Sequence, residues 1–140
     1  MILFDTNVLI DFWRKPKELL KLNITPDKYA ICGVVKSELL HGARTDKEID
    51  DILHFFNSFN LLHTDEYDFE GIGFMLQTLR ENGITLPLSD VMIAFCAMKY
   101  DVPLWTRDGH FRLIQGLYPE LEFYSCDSCG GFNPPTLASE

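Results

Sequence analysis

Short apolar runs separated by helix-length segments constrain this 140-residue chain more than any other feature. Ile2-Leu3-Phe4, Tyr29-Ala30-Ile31-Cys32, residues 60–62 and Pro103-Leu104-Trp105-Thr106 are too short for buried helices, and read as strands buried on both faces. Thr6 and Asn7, both good capping types, open a helix through Val8-Leu9-Ile10, which Lys15-Pro16 interrupts before a short second helix to about Leu22. Gly33 turns the chain into a helix from about Val34 to Ala43. Residues 46–58 and 66–82 have helical spacing with charged outer faces, and Gly83 is a stop signal. Ser89 is expected to cap a helix over 90–100, apolar enough to need cover on most sides; a short helix over 108–116 and an edge strand over 121–124 follow. Strands alternating with helices predict an α/β fold, a three-layer α/β/α domain around a mainly parallel sheet.

This domain is expected to span 1–124, with 125–140 as a flexible tail, since that stretch holds Gly130-Gly131 and Pro134-Pro135 and no hydrophobic period. No apolar stretch approaches the ~18 residues of a membrane span, and Met1 leads directly into a strand with no signal-peptide pattern. Cysteine is sparse, which fits a reducing, cytoplasmic setting. In the tail, Cys126 and Cys129 offer two zinc ligands where a structural site needs four. A net charge of −9 argues against a broad basic face for nucleic acid. It does not argue against a nuclease, because carboxylates that hold cations present positive charge to the substrate.

Four acids stand out. Asp5 follows the first strand and Asp108 closely follows the last, at the strand ends where open parallel sheets gather ligands. Each also suits a helix cap. Glu38 comes three residues after Val35 and just before Leu39, on the stripe expected to face the core, where a carboxylate needs a partner such as Arg44 or Arg107 or a metal. Asp90 stands at the start of an apolar helix, where the helix dipole favours it. If the four converge, each like-charged pair near 4 Å costs about 4 kcal/mol at an effective dielectric near 20. Cations relieve that cost, and all-oxygen donors suit Mg²⁺ or Mn²⁺ rather than zinc.

The ordered runs Phe4-Asp5-Thr6-Asn7-Val8-Leu9-Ile10, Ser37-Glu38-Leu39-Leu40-His41-Gly42-Ala43, Leu88-Ser89-Asp90-Val91-Met92-Ile93-Ala94 and Trp105-Thr106-Arg107-Asp108-Gly109-His110-Phe111 resemble the PIN-domain ribonucleases, in particular the VapC-type toxins of toxin–antitoxin pairs. The resemblance covers about residues 1–124. It implies that Asp5, Glu38, Asp90 and Asp108 coordinate one or two Mg²⁺ or Mn²⁺ ions, with Thr6, Asn7 and Thr106 supporting them. It implies hydrolysis of RNA phosphodiesters to a 5′-phosphate and a 3′-hydroxyl, a homodimer, and a small antitoxin protein over the metal site. Single-stranded or looped RNA is the expected substrate. Phosphate contacts are expected among Arg14, Lys15, Lys36, Arg44, Arg107 and Arg112, and His41 and His110 are candidates for either RNA contact or a structural role.

Two other readings compete. A haloacid-dehalogenase-like phosphatase also opens on a strand and an aspartate, but wants a second acid two residues on, where this chain has Asn7. A non-catalytic PIN-like module binding RNA or protein would not need all four acids.

Overall fold

The computed structural model describes residues 1–22 and 24–125. All of the expected 125–140 tail but Ser125, and with it the Cys126/Cys129 pair, lies outside the described residues. Four strands, β1 (Ile2–Phe4), β2 (Tyr29–Cys32), β3 (Asn60–Leu62) and β4 (Leu104–Trp105), form a sheet of order β3-β2-β1-β4 in which every pair is parallel. Seven helices connect and follow them: α1 (Thr6–Arg14), α2 (Pro16–Leu20), α3 (Gly33–His41), α4 (Asp46–Phe56), α5 (Glu66–Glu81), α6 (Leu88–Lys99) and α7 (His110–Leu117). The chain steps one way from β1 to β3, then crosses back to β4 on the far side of β1. With right-handed crossovers, α1–α4 cover one face and α5–α7 the other, which makes the expected three layers.

Every residue of β1, β2 and β4 is buried, as a sheet covered on both sides requires. The centre is aromatic. The Phe4 ring meets Phe12, Tyr29, Phe59 and Trp105 at centroid separations of 5.2–5.9 Å, mostly edge to face, the arrangement ring quadrupoles favour. Gly71 lets α5 lie close on α6, since a Cβ there would stand 2.7 Å from the Phe95 ring. Gly83, at φ +79, supplies the left-handed residue just past α5.

Several boundaries differ from those read in the sequence. Ser89 is not the cap of α6; extended Pro87 holds that position and the helix begins at Leu88, because proline's fixed φ suits the approach to a helix. The 121–124 segment makes one parallel bridge, Leu104 to Phe123, rather than a strand, since β4 is only two residues long. α7 begins at His110, leaving Asp108 in the loop.

α5 carries a complete capping box: Asp65 Oδ1 accepts from the amides of Tyr67 and Asp68, both at 2.9 Å, and Asp68 Oδ2 accepts from the Asp65 amide at 2.8 Å. Lys99 ion-pairs with Asp68 and ties the end of α6 to this start. Asp65→Ala is expected to cost ~1 kcal/mol, a fall in Tm of about 4 °C in a thermal melt.

Candidate metal centre at the carboxyl end of the sheet

The strand order reverses between β1 and β4, and the crevice beyond their carboxyl ends is where an open parallel sheet has room for a ligand. Phe4 pairs with Trp105 in register, so Asp5 and Thr106 leave the sheet side by side. The Asp5 amide donates to the Trp105 carbonyl at 2.9 Å, and the Thr106 hydroxyl donates to Asp5 Oδ2 at 2.5 Å. Thr106 Oγ1 in turn accepts the Asp108 amide at 3.0 Å, and Asp5 Oδ1 accepts the Thr6 amide at 2.7 Å. One threonine therefore sets the positions of two acids.

Asp5 is only 5% exposed. Burial pushes its carboxyl up to about 6; the Thr106 hydroxyl and the Thr6 amide work against this, while the charges of Asp90 and Asp108 push the same way as burial. Asp90 is also raised, first by its own burial, then by Asp108 and Glu38, with His110 opposing. The four acids named from the sequence thus share one electrostatic neighbourhood: Asp5 feels Asp90 and Asp108, and Asp90 feels Asp108 and Glu38.

Glu38 corrects one expectation. It does not face the core; Val35 and Leu39 make the buried stripe of α3, and Glu38 is exposed at its border. The helix starts at Gly33 and is turned so that Glu38 looks into the open crevice, where its Oε1 accepts the Thr6 hydroxyl at 3.0 Å. Of the alternative ion-pair partners, Arg107 is engaged elsewhere: its guanidinium pairs with Asp11 and donates to the Asn7 carbonyl at 3.2 Å. The Arg107 amide also approaches Asn7 Oδ1 at 3.5 Å, so Asn7 and Arg107 fasten the β4–α7 loop to α1.

His110 is drawn into the site beyond what the sequence indicated. Its amide donates to Asp108 Oδ1 at 2.9 Å and its Nδ1 lies 3.2 Å from the same oxygen. One ligand atom each from Asp90, Asp108 and His110 fall within 4.8 Å of one another, a span a single cation can bridge. The signal in the sequence was the two-residue spacing of Asp108 and His110 at a helix start. Of the other cations expected to meet phosphate, Lys36 sits over the Phe56 ring, Arg112 stacks on Phe123, and Arg14 lines a groove with Ile10, Trp13, Glu38 and Leu39. Lys15, Arg44 and His41 are exposed.

The family model described as PIN domain matches residues 2–117. The chain belongs to the PIN-domain family. Among curated proteins this PIN domain is similar to ribonuclease VapC1 of Methanocaldococcus jannaschii, at 28% identity over 116 residues and 81% of each chain. Among solved structures it is similar to VapBC-1 from nontypeable Haemophilus influenzae, with a TM-score of 0.71 at 23% identity over 89% of this chain and 97% of that one. A toxin–antitoxin complex from Klebsiella pneumoniae matches with a TM-score of 0.63 at 26% identity, over 77% of this PIN domain and 87% of its counterpart. The three-layer parallel fold expected from the sequence is thus the PIN fold, and no described helix is long and apolar enough to cross a membrane.

Proposed function

We propose that this PIN domain is a metal-dependent endoribonuclease and the toxin of a toxin–antitoxin pair, with Asp5, Glu38, Asp90 and Asp108 holding one or two Mg²⁺ or Mn²⁺ ions. The observation that carries the reading is the buried Asp5, raised to about 6 among neighbouring carboxylates at the sheet's switch point. Acids so placed repel one another in the ionised state, and a divalent cation turns that repulsion into binding. The donor set fits such an ion: carboxylate oxygens predominate, and His110 adds one nitrogen beside Asp90 and Asp108. A bound divalent cation supplies an activated water for hydrolysis and neutralises charge building on the phosphodiester.

The chain's own residues arrange that chemistry. Thr106 holds Asp5 and Asp108 in one frame, and Thr6 holds Asp5 through its amide and Glu38 through its hydroxyl. Such supporting bonds fix carboxylate orientation. Arg107 and Asn7 keep the Asp108 loop against α1. The crevice remains open to a single-stranded or looped RNA, with Arg14, Lys15, Lys36, Arg44 and Arg112 as candidate phosphate contacts around it. Arg107, also expected among the phosphate contacts, pairs with Asp11, which makes it first a support for the loop.

An antitoxin has a natural seat. A groove of about 270 Å³ between α1, α3 and α4 has Ile10, Trp13, Leu39 and Ile52 along it and Glu38 and Glu48 at its polar rim. An apolar segment of a small partner lying there would bring a basic side chain to Glu38. The similar M. jannaschii protein is named a ribonuclease, which supports the same activity here. The reading is tested by incubating pure protein with mixed RNAs. Cleavage is expected with Mn²⁺, leaving 5′-phosphate and 3′-hydroxyl ends, and none is expected with EDTA; cleavage persisting in EDTA would sink the metal reading.

A further inference from the structure

His110 reaches the acidic crevice from a place where the fold has little use for a histidine. It is the first residue of α7, and a helix start favours acids over cationic side chains, so the helix does not account for it. Its side chain is 61% exposed, so it fills no gap in the core. Its position is nevertheless fixed. Thr106 Oγ1 accepts the Asp108 amide at 3.0 Å, Asp108 Oδ1 accepts the His110 amide at 2.9 Å, and the imidazole Nδ1 lies 3.2 Å from that same Oδ1. One donor atom each of His110, Asp108 and Asp90 then lie within 4.8 Å of one another, brought there by the start of α7, the loop before it and the start of α6.

We propose that His110 is a nitrogen ligand of the cation held by Asp90 and Asp108, and that it makes this position selective for Mn²⁺ over Mg²⁺. This role rests on the metal-site reading above and decides between the two ions that it leaves open. Adjacent donors of a six-coordinate ion with bonds of about 2.1 Å stand about 3 Å apart, and opposite donors about 4 Å apart. The 3.2 Å between His110 Nδ1 and Asp108 Oδ1 is close to the first spacing. The three groups, all within 4.8 Å, need only small side-chain movements to meet both.

The nitrogen sets the preference. Mg²⁺ is small and hard, gives up its waters reluctantly and is held by oxygen. An imidazole replaces one such water with a softer donor, which gains little with Mg²⁺ and more with a first-row transition ion, a series that begins at Mn²⁺. The two carboxylates attract any divalent cation; the ring supplies the choice. Because the ring is exposed, binding requires no opening of the core. Because the His110 bond to Asp108 at 2.9 Å comes from the backbone amide, removing the ring leaves the Asp108 loop tied. A ring that only hydrogen-bonded Asp108 would orient that carboxylate for both ions alike.

The experiment uses the full-length protein at neutral pH with Mn²⁺ and Mg²⁺ as probes. Pulsed electron paramagnetic resonance of the bound Mn²⁺ should show modulation from a directly coordinated nitrogen, lost in His110→Ala and kept in His41→Ala. By calorimetry, His110→Ala should lower Mn²⁺ affinity by about tenfold or more and Mg²⁺ affinity by no more than about threefold. His110→Asp, which puts an oxygen donor at the same place, should hold Mg²⁺ at least as tightly as the wild type without restoring the nitrogen signal or the Mn²⁺ preference. Circular dichroism verifies folding; where His110→Ala does not fold, His110→Asp carries the comparison. Bound Mn²⁺ with no nitrogen modulation, modulation that survives in His110→Ala, or equal losses for the two ions overturns the proposal and leaves the nuclease reading standing. Protein that binds Mn²⁺ through nitrogen and cuts no RNA overturns the nuclease reading alone, and failure to bind Mn²⁺ at all overturns both.

Discussion

Asp5→Asn is expected to lower Mn²⁺-dependent RNA cleavage about a thousandfold in kcat/KM, some 4 kcal/mol of transition-state stabilisation, while leaving the protein folded. The substitution keeps the shape of the side chain. Its Oδ1 can still accept the Thr6 amide, while Nδ2 in place of Oδ2 would donate to Thr106 Oγ1 instead of accepting from it, so the β1–α1 junction survives. What disappears is the charge at the most buried carboxylate of the cluster. A cation there loses its best-desolvated anionic ligand, where Coulomb attraction is strongest. Asp90→Asn should behave alike and serves as the control on a different element. Each is measured by the initial rate on a fluorescently tagged RNA, with circular dichroism to verify folding. A folded Asp5→Asn protein that keeps more than a tenth of the wild-type rate would remove Asp5 from the metal site and with it the main support of the proposal.

The same residue sets the second large effect, a dependence of stability on pH in metal-free protein. Asp5 binds its proton more tightly folded, near 6, than at the ordinary value of 3.8. Between those two values the native state holds more protons than the unfolded state, so stability falls as pH rises. The loss begins near 4, is complete above 6, and amounts to about 3 kcal/mol for a shift of roughly two units. Asp90, also raised, adds a contribution of the same sign. Urea unfolding in EDTA between pH 4 and 8 should show the midpoint falling and then levelling. Mn²⁺ should restore the lost stability at pH 7, because it binds the ionised native site. In Asp5→Asn most of the slope should vanish, and the variant should be the more stable protein in EDTA at pH 7. Parallel profiles for the two proteins would mean that the fold does not bear the cost of an ionised Asp5.

Both outcomes together would make Asp5→Asn a protein that gains stability and loses function, the pattern expected where a site is kept strained for its chemistry. A merely structural cap would lose both. The distinction matters because Asp5 does cap α1, and from the chain alone the cap was a sufficient reason for its presence.

The fold was legible to a large extent. Ile2–Phe4 and Tyr29–Cys32 are strands as read, and the Pro103–Thr106 run holds one at Leu104–Trp105, because short apolar runs between helices have few other ways to be buried. The helix starts were less so. Ser89 has the chemistry of a cap, but Pro87 fixes its own backbone in the extended form and takes the position first. Glu38 shows the limit in the site. Spacing along α3 put it beside Leu39 on a presumed inner stripe, yet a helix of nine residues buries only Val35 and Leu39, and the side between core and solvent is settled by how the helix is rolled. Glu38 is exposed and bonded to Thr6, and Asp5, for which a helix cap is an ordinary explanation in the sequence, is the buried acid.

The chain by itself determined the kinds of groups available: four acids at fixed intervals, a threonine and an arginine between the last strand and its acid, and apolar runs that could only become a covered parallel sheet. Residue type and local periodicity are properties of neighbours in sequence, and they survive any arrangement of the elements. Only the tertiary structure decided that β4 returns to the far side of β1, which sets Asp5 against Thr106 across 101 positions of chain and brings His110 to Asp90. Burial, and the carboxyl group it raises, depends on which segments meet there, and that is a property of the packed layers rather than of any run of residues.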